Sequence, residues 1–386
     1  MTRPLRIVDS EHPRVVLEAV RDVLSGAGPA VMPRDRAGAE RAPGAAAAPD
    51  TVPQNVALVI ETSGSTGVPK RVALSADALL ASAAASASAL GGQGQWLLAL
   101  PAHYVAGVQV LVRSVAAGTD PVILSAGHFD PRAFADLAAS MTGDARFVSL
   151  VPVQVARLLD VADQDRQLAG ILNSFDGILV GGQALAPSLR ERAELHGVTL
   201  TATYGSSETA GGCVYNGEPI GSTIVREEQG LLEIAGPTLA EGYLGDAERT
   251  DAAFHMDAGH RWYRTGDLGK VEHGRVVVSG RADNVIISGG EKVLLDAVEH
   301  AVRAQPGFER AVVVAQVSAE WGQVPVVVID AAPPLDLPAL RLAVGAVLGK
   351  AAAPARIVRV ERLPMLASGK PDRVAIAGHV AMHPAS

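Results

Sequence analysis

A single cysteine, Cys213, stands among 386 residues. It can form no internal disulfide, and no cysteine-based zinc site can be built around it. Basic residues are outnumbered, 33 against 41 acidic ones, leaving a formal charge of −8. A net acidic chain is poorly suited to gripping a nucleic-acid backbone, which calls for a basic surface. Long apolar runs are missing as well, where a membrane helix needs ~18 or more residues. The best candidate, Ala76 to Leu90, is an Ala/Ser run that contains Asp77. The N-terminus carries Arg3 and Arg6, but Asp9, Glu11 and Arg14 arrive before any apolar segment, so it does not read as a secretory signal. These absences lead us to expect a cytoplasmic protein with no nucleic-acid partner and no membrane insertion. What is present is core material: 48% of the residues are hydrophobic and 19% charged, with a mean hydropathy of +0.22. That excludes a wholly disordered chain, and the length calls for more than one domain.

Along the chain, Pro13 to Leu24 reads as a helix with apolar residues at Val16, Leu17, Val20 and Leu24. Met32 to Pro53, rich in Ala, Pro, Gly and Arg without periodicity, reads as a mobile surface linker. From Val56 onward, short apolar runs (Val56–Ile60, Trp96–Leu100, Phe147–Val151, Gly177–Val180, Val198–Thr203) alternate with helical patterns (Ala76–Leu90, Ala106–Ala116, Pro131–Ser140, Pro152–Leu159, Pro187–His196). Strand alternating with helix is the pattern of a mostly parallel sheet covered on both faces. Ser222 to Ser279, glycine-rich with short strands, reads as a small antiparallel barrel or sheet. After Gly280 the pattern of a helix (Leu294–Arg303), two Val-rich strands (Ala311–Val317, Val324–Ile329), a helix (Leu337–Leu348) and a strand (Arg356–Val360) predicts an α+β unit of its own.

The strongest local signal is Thr62-Ser-Gly-Ser-Thr-Gly-Val-Pro-Lys70, directly after a strand. Glycines allow close backbone approach to an anion, and hydroxyls and a lysine offer donors to phosphate oxygens. A Walker A loop is excluded, because Pro69 stands where its second glycine belongs and Arg71 where Ser or Thr must hold magnesium. A polar hairpin turn is the plain alternative for this cluster taken alone.

Read in order with four further stretches, the cluster resembles the phosphate loop of the adenylate-forming superfamily, whose members include acyl-CoA synthetases and peptide-synthetase adenylation domains. Tyr204-Gly-Ser-Ser-Glu-Thr209, Tyr263-Arg-Thr-Gly-Asp267, Gly280-Arg-Ala-Asp283 and Ser368-Gly-Lys370 resemble its later motifs. The resemblance implies a fold of class α/β. Residues 1–281 would form a large adenylate-binding domain of mixed, mostly parallel sheets with helices, including the segment and linker 1–55 and a β-barrel-like subdomain at 222–280. Residues 282–386 would form a small mobile α+β lid. It also implies a site. Thr62, Ser63, Gly64, Ser65, Thr66, Gly67 and Lys70 would hold the ATP phosphates. Gly181, Gly182 and Gln183 would pass beside adenine. Tyr204, Gly205, Ser206 and Ser207 would contact AMP, Asp267 and Arg281 the ribose. Glu208, with Ser207, would hold Mg²⁺, and Lys370 would bridge the carboxylate and the α-phosphate. Asp283 would be the hinge, and Gly289, Gly290 and Lys292 would line the path of coenzyme A.

A narrower resemblance is to the o-succinylbenzoate–CoA ligases of menaquinone biosynthesis. It rests on Leu100-Pro-Ala-His-Tyr-Val-Ala-Gly107, Ser149-Leu-Val-Pro152 and Gly211-Gly-Cys-Val-Tyr-Asn-Gly-Glu-Pro219. It implies an acid pocket at His103, Tyr104, Ser149 and Arg113, the last being a planar cation suited to a second substrate carboxylate. Ligation of another aryl or acyl acid, or loading of a carrier protein, stays open at this point; the presence of Lys370 speaks against a non-catalytic nucleotide-binding protein. Arg71, where the family usually has glycine, is expected to point outward. Only 61 residues precede the phosphate loop, so one wall of the large domain is expected to be thinner or supplied by a second subunit in a homodimer.

Overall fold

The computed structural model describes residues 1–35, 48–62, 69–125, 127, 129–330, 336–366 and 370–382. Ser63, Gly64, Ser65, Thr66 and Gly67 of the phosphate loop, and Ser368 and Gly369 before the terminal lysine, lie outside them.

The chain opens with β1 (Thr2–Asp9), α1 (Pro13–Leu24), β2 (Ala30–Arg34) and β3 (Thr51–Pro53), followed by β4 (Val56–Thr62) and β5 (Lys70–Ser75). Pro13 begins α1 with its φ already set for a helix, and Val16, Leu17, Val20 and Val23 form the buried stripe. β1 runs parallel to β2 and β2 parallel to β4, while β4 and β5 pair antiparallel. The expected linker from Met32 to Pro53 is therefore wrong at both ends. Met32 is fully buried in β2 and Val52 lies buried in β3. Each strand is short, and Pro33 and Pro53 break the apolar pattern that would have announced it; residues 36–47 lie outside the described set. The segment ahead of β4 thus contributes three strands to the first sheet and α1 to the core beside it.

The second sheet contains β6 (Gln95–Leu98), β7 (Val122–Ile123), β8 (Arg146–Leu150), β9 (Gly177–Val180), β10 (Leu200–Ser206), β11 (Gly211–Tyr215) and β12 (Glu218–Pro219), in the order β12-β11-β10-β9-β8-β6-β7. From β7 to β10 all neighbours are parallel. Helices α2 (Ala76–Ala89) and α3 (Val105–Ala117) join α1 in one core shared by both sheets. α2 is built of alanine and serine, and these small side chains let it lie between two sheets; Ser75 caps it by accepting from the Ala78 N–H at 3.3 Å. The other face of the second sheet carries α4 (Pro131–Ala139), α5 (Pro152–Ala162), α6 (Arg166–Asn173) and α7 (Pro187–Leu195), with Phe134, Leu158 and Leu172 among the residues of a second core.

A third, antiparallel sheet follows: β13 (Ile224–Glu228), β14 (Leu231–Ala235), β16 (Phe254–Asp257), β17 (His260–Glu272) and β18 (Arg275–Arg281), with β17 pairing with β14, β16 and β18. Between them β15 (Gly242–Tyr243) leaves this sheet and pairs with β5 of the first, and α8 (Ala247–Ala253) brings the chain back. A one-turn helix, Ala282–Asn284, leads into the fourth sheet. That sheet holds β19 (Val285–Ser288), β20 (Glu291–Leu294), β21 (Val312–Ser318), β22 (Gly322–Ile329) and β23 (Arg356–Arg359). With α9 (Leu295–Arg303), α10 (Leu337–Leu348) and α11 (Arg373–Met382) it encloses two further cores, around Val298, Val302 and Phe308 and around Val312, Leu363 and Ile376. Among the described residues no helix is long and apolar enough to cross a membrane.

Candidate active site

Parallel strands present their carboxyl ends to one side, and in open α/β sheets ligands collect there. β9 ends at Gly181-Gly182-Gln183, and β10 ends at the short helical turn Ser207–Thr209. A Cβ on Gly181 would stand 2.5 Å from Thr203 Oγ1, and one on Gly205 2.1 Å from the Gly211 carbonyl oxygen. Only glycine lets the backbone pass at these two points. Beside them lies a cleft with ≈ 350 Å³ of empty space, lined by Lys70, Tyr204, Glu208, Tyr263, Asp267 and Arg281 among others. Residues expected from distant parts of the sequence therefore meet on one surface.

Two carboxylates organise that surface. The Tyr204 hydroxyl donates to Asp267 Oδ2 at 2.6 Å, and Arg281 Nη1 donates to Asp267 Oδ1 at 3.1 Å and to the Thr265 carbonyl at 2.8 Å. Burial pushes the Asp267 carboxyl above its ordinary 3.8, against the opposing pull of Tyr204 and Arg281. Each Asp267 oxygen keeps a second lone pair, so a vicinal diol can still be accepted. Glu208 is 2% exposed and forms an ion pair with Lys70 through Oε1, which also accepts from the Tyr243 hydroxyl at 2.9 Å. Burial raises its carboxyl, but the Lys70 charge and the hydrogen bonds from Lys70 and Tyr243 outweigh it and hold Glu208 below 4.5. It is therefore ionised at neutral pH. Thr62 pairs in register with Lys70 across β4 and β5, and its buried hydroxyl has no partner among the described residues. Ser206 and Ser207 lie at the end of β10, Ser207 buried in the turn that carries Glu208.

Lys370 reaches this cleft from the fourth-sheet unit. Its Cε lies 3.3 Å from where a Cβ on Gly182 would stand. Its carbonyl accepts from Leu366 N–H at 2.8 Å, and Met365 bridges to Pro371, so the described residues on either side pair with one another. The residue as a whole stays exposed, but its amine end is crowded by the cleft. This desolvation holds its pKa below 10.5, against the attraction of Asp267.

The expected acid-pocket residues fall into two groups. Tyr104 stands at the N-cap of α3. His103 packs against it with ring centroids 4.1 Å apart and shares a 2.9 Å hydrogen bond with Ser10 Oγ of the N-terminal segment. Burial pushes His103 below 6.5, against the pull of Asp35. Arg113, two turns further along α3, is 6% exposed. Its guanidinium lies 4.8 Å from the Trp96 ring centroid and reaches only the Ser149 and Tyr215 hydroxyls, each at 3.5 Å. Its Nε has no partner, and no carboxylate pairs with it among the described residues. Arg113 lines a small recess between α2 and α3 rather than the nucleotide cleft. Gln109, one turn before it on the same face, links the two regions by donating to the Ala210 carbonyl at 2.7 Å, just past Glu208.

Three placements depart from the sequence reading or extend it. Arg71 does not point outward: its side chain is 13% exposed and pairs with Glu61 at 2.9 Å, and Glu61 also binds Arg34. The cross-strand register of β4 and β5 sets Arg71 directly opposite Glu61, which gives a long side chain at the usual glycine position a partner on the sheet. Gly289 and Gly290, with φ of +57° and +85°, make the two-residue turn between β19 and β20, and neither they nor Lys292 line the cleft. Asp283 sits in the Ala282–Asn284 turn, 3.3 Å from Arg281 Nε. Tyr243, Tyr263, Thr265, Gln109 and Tyr215 are contacts the motifs did not single out; Tyr263 and Tyr215 lay inside quoted stretches, while Tyr243 carries no local signal.

Comparison with known proteins agrees with this geometry. The profile of the AMP-binding enzyme family matches residues 8–231, and that of the AMP-binding enzyme C-terminal domain matches residues 297–370. A probable 2-succinylbenzoate–CoA ligase of Mycobacterium tuberculosis is 38% identical over 385 residues, 97% of each chain. The 2-succinylbenzoate–CoA ligase of Listeria monocytogenes is 31% identical, covering 82% of this chain and 68% of its own. Among solved structures, O-succinylbenzoate coenzyme A synthetase (MenE) from Bacillus subtilis in complex with AMP superposes with a TM-score of 0.72 at 26% identity, covering 84% of this chain and 70% of that one. Wild-type E. coli MenE with a bound analogue of OSB-AMS gives 0.63 at 27% identity, covering 87% and 72%. With Lys70, Asp267 and Lys370 brought to one cleft, and a family profile spanning more than half its length, the chain belongs to the AMP-binding enzyme family.

Proposed function

We infer that this chain is an ATP-dependent acid–thiol ligase that converts o-succinylbenzoate to o-succinylbenzoyl-CoA by way of an acyl-adenylate. The observation that carries the substrate assignment is Arg113. A buried guanidinium without a carboxylate is costly to keep, and a dicarboxylic acid supplies the missing charge while its other carboxylate reacts. The relatives named for 2-succinylbenzoate support the same acid.

In the first half-reaction a substrate carboxylate oxygen attacks the α-phosphorus of ATP, forming a C–O–P linkage as pyrophosphate leaves. Two anions must approach, so cations aimed at the developing charge do most of the work. Lys370 stands at Gly182 to bridge carboxylate and α-phosphate. Lys70, released from Glu208, holds the outer phosphates with Thr62 and the phosphate loop. Asp267 and Arg281 hold the ribose, and residues 181–183 run beside adenine. Among the described residues no cluster of three metal-ligating side chains exists, and Mg²⁺ characteristically takes one or two carboxylates and completes its shell with phosphate and water. Glu208 fits that demand: it is ionised, and both its contacts fall on Oε1. When bound, Mg²⁺ supplies charge neutralisation on the phosphates. In the second half-reaction the thiolate sulfur of coenzyme A attacks the acyl carbon and AMP leaves, after the fourth-sheet unit turns about Asp283, withdrawing Lys370 and bringing Gly289, Gly290 and Lys292 to line the thiol's path. We place the domain boundary at residues 281–282, with Asp283 as its pivot, and the enzyme in the cytoplasm, where one unpaired cysteine is at home.

The test is pyrophosphate release with ATP, Mg²⁺ and coenzyme A across o-succinylbenzoate, benzoate, salicylate and a medium-chain fatty acid. Preference for o-succinylbenzoate with a CoA-dependent thioester product is expected. Turnover of the other acids alone would overturn the substrate, and turnover only with an acyl-carrier protein would overturn the acceptor.

A further inference from the structure

Lys370 enters the cleft as part of the fourth-sheet unit, and the chain reaches that unit through the turn at residues 282–284. Such a short connection cannot fix an orientation by itself, because a few free dihedrals would swing an amine at the far side of the unit by many ångströms. Something must hold the unit against the large body. A hydrogen bond that spans this whole turn runs from the Arg281 backbone N–H to Asp296 Oδ2, at 2.8 Å. The other oxygen, Oδ1, accepts from Asn284 Nδ2 at 3.0 Å. One carboxylate in the first turn of α9 thus grips the chain on both sides of Asp283.

Gly280 shows how close this approach is. A Cβ there would fall 2.5 Å from Asp296 Cβ, so glycine is the residue that permits the contact. The same carboxylate also faces the lysine loop. Arg373, in the first turn of α11 and three residues beyond Lys370, lies 3.9 Å from Asp296 Oδ1. Its guanidinium donates to the Val313 carbonyl at 2.8 Å and to Glu299 Oε2 at 2.7 Å. Glu299 is buried, accepts from Val313 N–H at 2.9 Å and pairs with Arg303 at 2.9 Å. The root of the lysine loop is therefore tied into the unit's core, and that core is tied through Asp296 to Arg281, whose side chain holds Asp267 in the nucleotide cleft.

We propose that Asp296 is a positioning residue for adenylation: by bonding Arg281 N–H and Asn284 across the junction it holds the orientation in which Lys370 reaches the cleft. It touches no reacting atom and acts through the geometry of Lys370. An acid at a helix N-terminus often does no more than favour its own helix. Here, however, both oxygens are spent on residues 281 and 284 outside α9. A helix-stabilising role predicts equal damage to every activity of the unit, whereas the proposed role predicts selective loss of adenylate formation.

The proposal rests on the adenylation reading of the cleft, so two readouts are needed. In Asp296→Ala, ATP–pyrophosphate exchange should fall by about tenfold or more through kcat with KM for ATP little changed, while thioester formation from supplied acyl-adenylate stays within about twofold. Asp296→Asn should show the same selectivity more mildly, because its Oδ1 can still accept from Asn284 while its NH₂ cannot accept from Arg281; it serves if the alanine variant fails to fold. Independently of any activity, cysteines introduced at Leu195 and Leu342, which are 87% and 76% exposed, can carry a fluorescence-transfer pair, since native Cys213 is buried and does not compete for label. Loss of Asp296 should broaden or shift the transfer distribution. An unchanged distribution, or equal loss of both half-reactions, overturns the proposal. A wild-type protein inert towards every acid, combined with a shifted distribution, overturns the adenylation reading and leaves the junction contact standing.

Discussion

The hydroxyl of Tyr204, at the end of one sheet, donates a 2.6 Å hydrogen bond to Asp267 in another, joining β10 to β17 across the nucleotide cleft. The bond sets the distance between the two walls that a nucleotide has to span. It also keeps the Tyr204 proton in place, because burial and the Asp267 charge raise the phenol well above its ordinary 10.

Asp267 should therefore govern nucleotide affinity at acid pH. Its carboxyl is pushed above 3.8, and a diol is accepted by the ionised form. ATP binding should weaken as pH falls through this raised value, sooner than an ordinary aspartate would allow. Asp267→Asn should raise KM for ATP by about 10–100-fold at neutral pH and flatten that acid limb. Isothermal titration with ATP at several pH values measures both; an acid limb that survives in the variant belongs to another group.

Lys370 gives the opposite limb. It must be charged to meet two anions, and its pKa lies below 10.5, so adenylation should fall as pH rises through that lowered value. Lys370→Ala should reduce ATP–pyrophosphate exchange by about 10²-fold or more yet leave thioester formation from supplied acyl-adenylate largely intact. Lys370→Arg, always charged, should work slowly and lose the alkaline limb. Equal loss of both half-reactions in Lys370→Ala would refute the role.

If Arg113 recognises the second carboxylate, it does so at a cost in stability. Replacing a buried, uncompensated guanidinium by an apolar side chain of similar reach is often neutral or stabilising. Arg113→Met should therefore melt no lower than the parent while raising KM for o-succinylbenzoate by about 10²-fold. A monocarboxylic analogue should be affected far less. Calorimetry and steady-state kinetics on the two acids decide it, and a variant that melts lower with both acids equally impaired would make Arg113 a structural residue.

Glu208→Gln should expose the metal link. The change removes the charge that binds Lys70 and, on the proposed reading, would bind Mg²⁺, while keeping a group of the same size. Half-maximal activity should then need about tenfold more Mg²⁺ or worse. Tyr243→Phe, which removes one hydrogen bond to the same oxygen, should shift the Mg²⁺ requirement much less.

Much of this architecture was legible because its signals are local. Pro13–Leu24, Gly177–Val180 and Leu337–Leu348 have the same bounds in the sequence reading and in the structure; a proline start and an apolar stripe, or a run of three apolar residues between glycines, carry their own definition. β1 was not legible, since Val8 is its one buried residue and Arg3, Pro4 and Arg6 interrupt its apolar side chains. β2 and β3 hid behind prolines. In the cleft, Lys70, Tyr204, Glu208, Asp267 and Arg281 were readable as motif residues. Tyr243 was not, because it enters through a two-residue strand borrowed by another sheet. Asp296 was invisible for a different reason: its two bonds go to Arg281 N–H and to Asn284, and a bond to a backbone amide leaves no trace in side-chain pattern.

That borrowed strand has a consequence for how the gene can be cut and rejoined. Gly242 and Tyr243 pair with Ala73 and Val72, and Gly242 lies so close to Thr250 that a Cβ would stand 2.5 Å from its Cγ2. The stretch from 222 to 280 is thus sewn into the sheet that bears the phosphate loop, and it cannot be exchanged between relatives as a cassette without tearing β5. The piece from 285 onward carries its own sheet and cores, with no strand lent elsewhere among the described residues. Recombination between relatives should find its viable seam after Arg281, and chimaeras joined near residue 222 should be recovered insoluble.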